Sequence, residues 1–170
     1  MAYTVYRDFW PEAVDAWPTL SRMVKAKGSY IFNPDKKRHQ VEVPPTHTFY
    51  HAFAAALNRR GLTRGRILKD MFVLQSYPGC QRQQFHYDFD PDQLASEKPR
   101  KKPQGVLLAI EDSTTLDFLD HQESLRAGDL LVFDGDCVHA GSAYTTTNTR
   151  VHCYLDSCTH ARKVNQTWLF

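Results

Sequence analysis

The chain lacks most of the features that would place it at once. No stretch of 18 apolar residues occurs in its 170 residues, so a membrane-spanning helix is not expected. Met1-Ala2-Tyr3-Thr4-Val5-Tyr6-Arg7-Asp8 is neither a signal peptide nor a transit peptide in pattern. Four cysteines, Cys80, Cys137, Cys153 and Cys158, form no Cys-x-x-Cys pair, which argues for reduced thiols and a cytoplasmic, intracellular setting rather than a disulfide frame. The net charge of +2 is too small to argue for nucleic-acid binding by itself. No internal repeat is present, and the only low-complexity stretch is Ser96 to Gln104, with Lys98, Arg100, Lys101 and Lys102 between prolines. At this length one domain, 1–170, is the simplest reading, and 42% apolar content suffices for one core.

What is present is an ordered set of metal-ligating residue types. His86-Tyr87-Asp88 is followed 51 residues later by His139, and Arg150 comes 11 residues after that. Two histidines and one carboxylate can hold a divalent iron on one triangular face and leave three positions open. His-x-Asp suits a β-strand, where residues i and i+2 point to the same side. The third ligand must then come from another strand. Arg150 adds a cation with forked donors that match a carboxylate, provided that it faces a polar interior rather than the surface. The spacing His-x-Asp alone is unspecific, and its context raises it. Phe72 to Tyr77 reads as a strand, Pro78-Gly79 as a turn, and Gln83 to Asp88 as the next strand. Gly105 to Ile110 and Leu116 to Leu119 read as strands. Gly128-Asp129 is a turn before the apolar run Leu130 to Phe133, and Asp134-Gly135-Asp136 ends that run just before His139. Thr145 to Thr149 reads as a loop and Arg150 to Leu155 as a strand. A rival pair, His121 and Glu123, lies too close to His139 to leave room for intervening strands and suits a surface turn better.

The first third reads differently. Pro11 starts a helical stretch with Ala13, Val14 and Trp17, which Pro18 bends or restarts, and Leu20, Met23 and Val24 continue its apolar face. Ser29 to Phe32 suggests a strand closed by Asn33-Pro34-Asp35. After Pro44-Pro45, Thr46 is the expected cap of a helix with Phe49, Tyr50, Phe53, Ala56 and Leu57 at helical spacing, ending near Gly61. The pattern divides the domain into a helical support region, 1–65, and a strand-rich core, 66–170: mainly β with N-terminal helices (α+β).

Residues Tyr77-Pro78-Gly79, His86-Tyr87-Asp88, Gly128-Asp129-Leu130-Leu131-Val132-Phe133, His139-Ala140-Gly141-Ser142 and Arg150 resemble the iron(II)- and 2-oxoglutarate-dependent dioxygenase superfamily, prolyl-hydroxylase-like and phytanoyl-hydroxylase-like members among them, over roughly residues 70–156. The resemblance implies a double-stranded β-helix, a distorted, cupin-like jelly roll. It implies His86, Asp88 and His139 as catalytic metal ligands, with Fe(II), 2-oxoglutarate and O2 as cofactor and cosubstrates. It implies Arg150 as the partner of the far carboxylate of 2-oxoglutarate, with Tyr77 near the cosubstrate. His152 departs from the serine usual in plant-type members, and by strand alternation it shares the face of Arg150, so it is a third candidate for that carboxylate. The expected activity is hydroxylation of a C–H bond in a protein side chain or small metabolite, with succinate and CO2 as co-products. The alternatives are an AlkB-type nucleic-acid demethylase, whose arginine-rich signature is missing here, and a non-catalytic cupin-like binding module. Tyr87 and Phe89 either line the substrate pocket or fill the barrel, Cys137 is a small core filler, and the basic loop is either a solvated linker or a mobile substrate contact.

Overall fold

One strand, β11 (Asn148–Ser157), organises the molecule. Alternation along it sends Val151, Cys153 and Leu155 into the apolar cluster beneath the helices, and Arg150, His152 and Tyr154 to the opposite face. A computed structural model describes residues 3–30, 36–160 and 166–170. In it β11 lies at the centre of a seven-stranded sheet. Its neighbours are β1 (Tyr3–Tyr6), β9 (Leu130–Asp134) and β6 (Gln104–Ala109) on one side, and β4 (Arg66–Ser76), β3 (Arg38–Glu42) and β2 (Ser29–Tyr30) on the other. A second sheet of five strands runs in the order β12 (Trp168–Leu169), β5 (His86–Tyr87), β10 (His139–Gly141), β7 (Thr114–Phe118) and β8 (Gln122–Leu125). All the described strand pairs are antiparallel.

The outer face of the larger sheet is covered by α1 (Trp17–Lys27) and α2 (Thr48–Arg59). A 3-10 turn over Pro11–Ala16 leads into α1, and Pro18 sits in its first turn, where a missing N–H costs nothing. Phe49, Phe53, Ala56 and Leu57 form the buried stripe of α2, as their spacing predicts. Its cap is His47 rather than Thr46. The His47 N–H closes a turn onto the Pro44 carbonyl at 2.9 Å, which makes Thr46 a turn residue. The His47 ring nitrogen Nδ1 then accepts the Phe49 N–H at 3.1 Å.

The first 65 residues also supply three strands, and two of them, β1 and β2, form the edges of the larger sheet. The expected strand at Ser29 to Phe32 is described only as Ser29–Tyr30, and its closing turn, 33–35, lies outside the described residues. Between the sheets, Leu107, Ala109, Leu131 and Phe133 of the larger meet Leu116, Phe118 and Leu125 of the smaller. The basic segment is folded rather than loose: α3 (Pro91–Leu94) and a 3-10 turn over Pro99–Lys101 lie within or beside it. Lys102 is ion-paired with Asp136, and Arg66 donates to the carbonyls of Arg100 and Lys102.

Asp129 ties β1 to β9. Its carboxylate accepts the Asp8 N–H at 2.9 Å, the Arg126 N–H at 3.0 Å and Arg7 Nη1 at 2.8 Å. Gly128 before it has φ +88°, and a Cβ there would lie 2.8 Å from Pro11 Cα, so only glycine fits. Burial pushes the Asp129 carboxyl upward, but Arg7 and the two backbone donors outweigh it and hold the group below its ordinary value. A depressed carboxyl pKa contributes stability above the unfolded value near 4 and loses it as pH falls through the folded value. Asp129→Ala is therefore expected to cost about 2–3 kcal/mol at neutral pH, chiefly from two stranded backbone donors. The deficit relative to wild type should shrink in urea melts run at successively lower pH.

Candidate metal centre

Strand register brings the two histidines together. In the five-stranded sheet Leu169 pairs with His86, His86 with His139, and His139 with Phe118. Directly opposed residues of antiparallel strands share a face, so both imidazoles project to the same side, with ring centroids 4.6 Å apart. Strand β5 is shorter than the sequence suggests and ends at Tyr87. Asp88 nevertheless follows His86 by two residues, turns to the same side and is buried. Nitrogen and oxygen atoms of His86, Asp88 and His139 all lie within 4.8 Å of one another, with His139 Nε2 3.5 Å from Asp88 Oδ2.

The imidazoles are fixed in the tautomer a metal requires. His86 Nδ1 lies 2.8 Å from the Gln84 carbonyl, and His139 Nδ1 lies 3.0 Å from the Cys137 carbonyl. A carbonyl only accepts, so each Nδ1 carries the proton and each Nε2 presents its lone pair. Burial lowers the His139 pKa, Asp88 opposing, and keeps the ring neutral. The nearby Cys137 thiol is pushed up to about 12, first by burial and then by surrounding carboxylates, so it stays protonated and does not compete as a ligand. Two imidazoles presenting Nε2 and one carboxylate, converging from one side, fit a facially bound divalent iron.

Phe133 braces the centre, its ring 4.6 Å from that of His139. It occupies the space opposite Gly105, where a Cβ would collide with the ring. Phe133 is 1% exposed and has no room to retreat. Gly105→Ala should therefore cost about 1–3 kcal/mol by overpacking. It should also weaken metal binding roughly tenfold by displacing His139, as read from a thermal melt and a Ni(II) titration of the same variant.

Arg150 is 2% exposed. Among the described residues its one side-chain hydrogen bond goes from Nη1 to Ser76 Oγ at 3.1 Å, and the guanidinium lies over the Tyr144 ring at 5.0 Å. Among the described residues no carboxylate stands within ion-pair reach of it. Tyr144 is itself locked, its hydroxyl accepting the Thr115 N–H at 2.9 Å and donating to the Thr115 carbonyl at 3.0 Å. Arg38, 1% exposed, lies 6.0 Å from the same ring and donates to the carbonyls of Gln81, Gly141 and Ser142. Neither Tyr144 nor Arg38 was singled out in the sequence; the alternation of Arg38 with His39 and Val41 was the one signal available.

The other expected site residues, Tyr77 and His152, divide between the two faces of the larger sheet. The Tyr77 hydroxyl donates to Gln75 Oε1 at 2.9 Å, and the Gln75 amide donates to Ser21 of α1 and to Thr149. Gln75 faces the helices because its neighbour Ser76 faces Arg150, so the Tyr77 hydroxyl joins the helix-side cluster. His152 shares the face of Arg150, and its Nε2 lies 3.8 Å from Asp88 Oδ2, at the metal end. Phe89 packs with Leu94 and Tyr154, whereas Tyr87 meets Phe170 edge-on. The rival pair is occupied: His121 contacts Asp120 and Tyr3, each at 2.7 Å, and Glu123 pairs with Arg7.

No protein-family profile and no curated protein sequence matches the chain. Solved structures do. The fold is similar to the viral collagen prolyl hydroxylase vCPH from Paramecium Bursaria Chlorella virus-1 in its 2-oxoglutarate complex, at 14% identity and a TM-score of 0.68, over 92% of this chain and 97% of that one. It is similar to HygX from Streptomyces hygroscopicus with nickel and 2-oxoglutarate bound, at 10% identity and a TM-score of 0.71, over 95% and 85% of the two chains. It is also similar to the non-heme alpha-ketoglutarate-dependent carbocyclase SnoK from nogalamycin biosynthesis, at 13% identity and a TM-score of 0.67, over 91% and 79%. The jelly-roll fold of these oxygenases is thus the fold of this chain.

Proposed function

We propose that the protein is an iron(II)- and 2-oxoglutarate-dependent oxygenase on a double-stranded β-helix, with His86, Asp88 and His139 as metal ligands and Arg150 as the anchor of the cosubstrate. The observation that carries this reading is Arg150. A buried cation with one neutral side-chain partner among the described residues calls for an anion, and it shares the interior of the two sheets with three convergent ligand atoms. A dicarboxylate with one end on the metal and the other on Arg150 satisfies both. Bound iron with 2-oxoglutarate and dioxygen supplies the oxidising chemistry, with succinate and CO2 as co-products.

The chain's own residues bind, orient and exclude water. Backbone carbonyls hold the two imidazoles, Ser76 and the Tyr144 ring hold the guanidinium, and His152, on the Arg150 face near Asp88, would flank a bound cosubstrate. Phe133 and Tyr154 close the inner wall against water.

The favoured reaction is hydroxylation of a C–H bond in a protein side chain or small metabolite. The similar structures include a carbocyclase as well as a prolyl hydroxylase, so the outcome depends on which bond is held near the metal. The weak net charge disfavours an AlkB-type role. The correctly oriented ligand set disfavours a vestigial binding module. Exposed Lys98, Arg100 and Lys101 remain available to an anionic substrate. No helix among the described residues is long and apolar enough to cross a membrane. Four free thiols suit a reducing compartment. The test is Fe(II)-dependent succinate formation from 2-oxoglutarate, screened with peptides, single-stranded nucleic acids and small acids. Stimulation by a peptide or small acid supports the reading; an absence of Fe(II)-dependent succinate under every condition overturns it.

A further inference from the structure

The three ligands are not held alike. Main-chain carbonyls fix the imidazoles of His86 and His139, whereas the Asp88 carboxylate, beyond the end of β5, accepts from a side-chain hydroxyl. Its carboxylate is 2% exposed and meets β11 of the opposite sheet. The Tyr154 hydroxyl donates to Oδ1 over 3.5 Å, a long hydrogen bond, while Oδ2 faces His139 Nε2 at 3.5 Å. Tyr154 has little freedom of its own. It is 5% exposed, edge-on to Phe89 at 6.1 Å and 4.6 Å from the His152 ring. It pairs with Gly105 on β6, and on the β4 side the register shifts between His152 and Tyr154.

We infer that Tyr154 is a positioning residue for the metal centre, whose hydroxyl holds Oδ1 of Asp88 and so presents Oδ2 alone to the ion. The inference rests on the metal reading above. A carboxylate bound through one oxygen leaves the second needing a donor, and in a buried site that donor must be built in. Without that donor Oδ1 is drawn more readily to the ion, and the carboxylate engages it through both oxygens. That would take a coordination position the cosubstrate or dioxygen needs. The seven-stranded sheet thus contributes to the metal centre as well as to the cosubstrate anchor, through residues four apart on one strand face.

The test is metal binding to the full chain, read without turnover. Wild type and Tyr154→Phe are titrated with Co(II), and their d–d spectra and thermal midpoints are compared. The expected result is about one Co(II) per wild-type chain, with roughly tenfold weaker binding and an altered d–d spectrum in Tyr154→Phe at a similar metal-free midpoint. Equal affinity and an identical spectrum would overturn the inference. Phe89→Leu loosens the same packing and keeps the hydroxyl. If it weakens Co(II) binding and shifts the spectrum as much as Tyr154→Phe, packing rather than the hydroxyl acts, and the inference also fails. A wild type that binds no Co(II) is a separate result, which removes the metal reading and this inference with it.

Discussion

Asp88→Ala is expected to abolish turnover and to weaken metal binding by roughly 100-fold or more, since changes only to the groups that orient a ligand already cost 10–100-fold. Asp88 is the one anionic member of the ligand set, and two neutral imidazoles alone neither neutralise a divalent ion nor define its facial geometry. Asp88 also accepts the Tyr154 hydroxyl, so the stability of the metal-free variant does not by itself report on the ion. The informative readout is therefore the metal-induced rise in thermal midpoint, present in wild type and lost in Asp88→Ala. A His86→Ala, His139→Ala double variant should lose it too. Full Fe(II), Mn(II) or Ni(II) occupancy in that double variant would remove the assignment.

Arg150→Ala is expected to leave metal affinity intact and to weaken 2-oxoglutarate binding by about 10- to 150-fold, the equivalent of about 1.5–3 kcal/mol for a charge-assisted hydrogen bond in a buried site. Arg150→Lys should recover only part, because a point charge cannot reproduce the fork or its stacking on Tyr144. The metal-free variant should be no less stable, because among the described residues the lost cation has only the neutral Ser76 Oγ as a side-chain hydrogen-bond partner. The two variants together dissect the site, one losing the ion and the other the far carboxylate. If Arg150→Ala titrates with 2-oxoglutarate as wild type does, the cosubstrate is anchored elsewhere, and the buried Arg38, 6.0 Å from the Tyr144 ring, is the next cation to replace.

Where local periodicity carries the information, the sequence was readable. His86 and Asp88 two apart, Arg150 on the face opposite Val151, and the α2 stripe of Phe49, Phe53, Ala56 and Leu57 all follow from repeats of 2 and 3.6 residues, which backbone geometry imposes on any chain. Short strands with distant partners were harder. Tyr3 to Tyr6 and Arg38 to Glu42 are short, and their partners, β9 and β4, lie far away in sequence. The cap on α2 shifted by one residue because the Pro44 turn consumed Thr46.

By itself, the sequence determined which residues can ligate a metal and hold a carboxylate, because residue chemistry and strand alternation are local properties. Tertiary structure alone decided their company. Tyr77 stands next to Ser76 in the chain, yet its hydroxyl turns to Gln75 on the helix side, and Tyr144, 67 residues further on, lies under Arg150. His152, two residues from Arg150, reaches the Asp88 end of the pocket, and Tyr154 touches a carboxylate 66 residues away. Such contacts arise where two sheets close face to face. Their register depends on pairing between distant strands and on a bulge in β4 where it pairs with β11, neither of which leaves a periodic mark in the sequence.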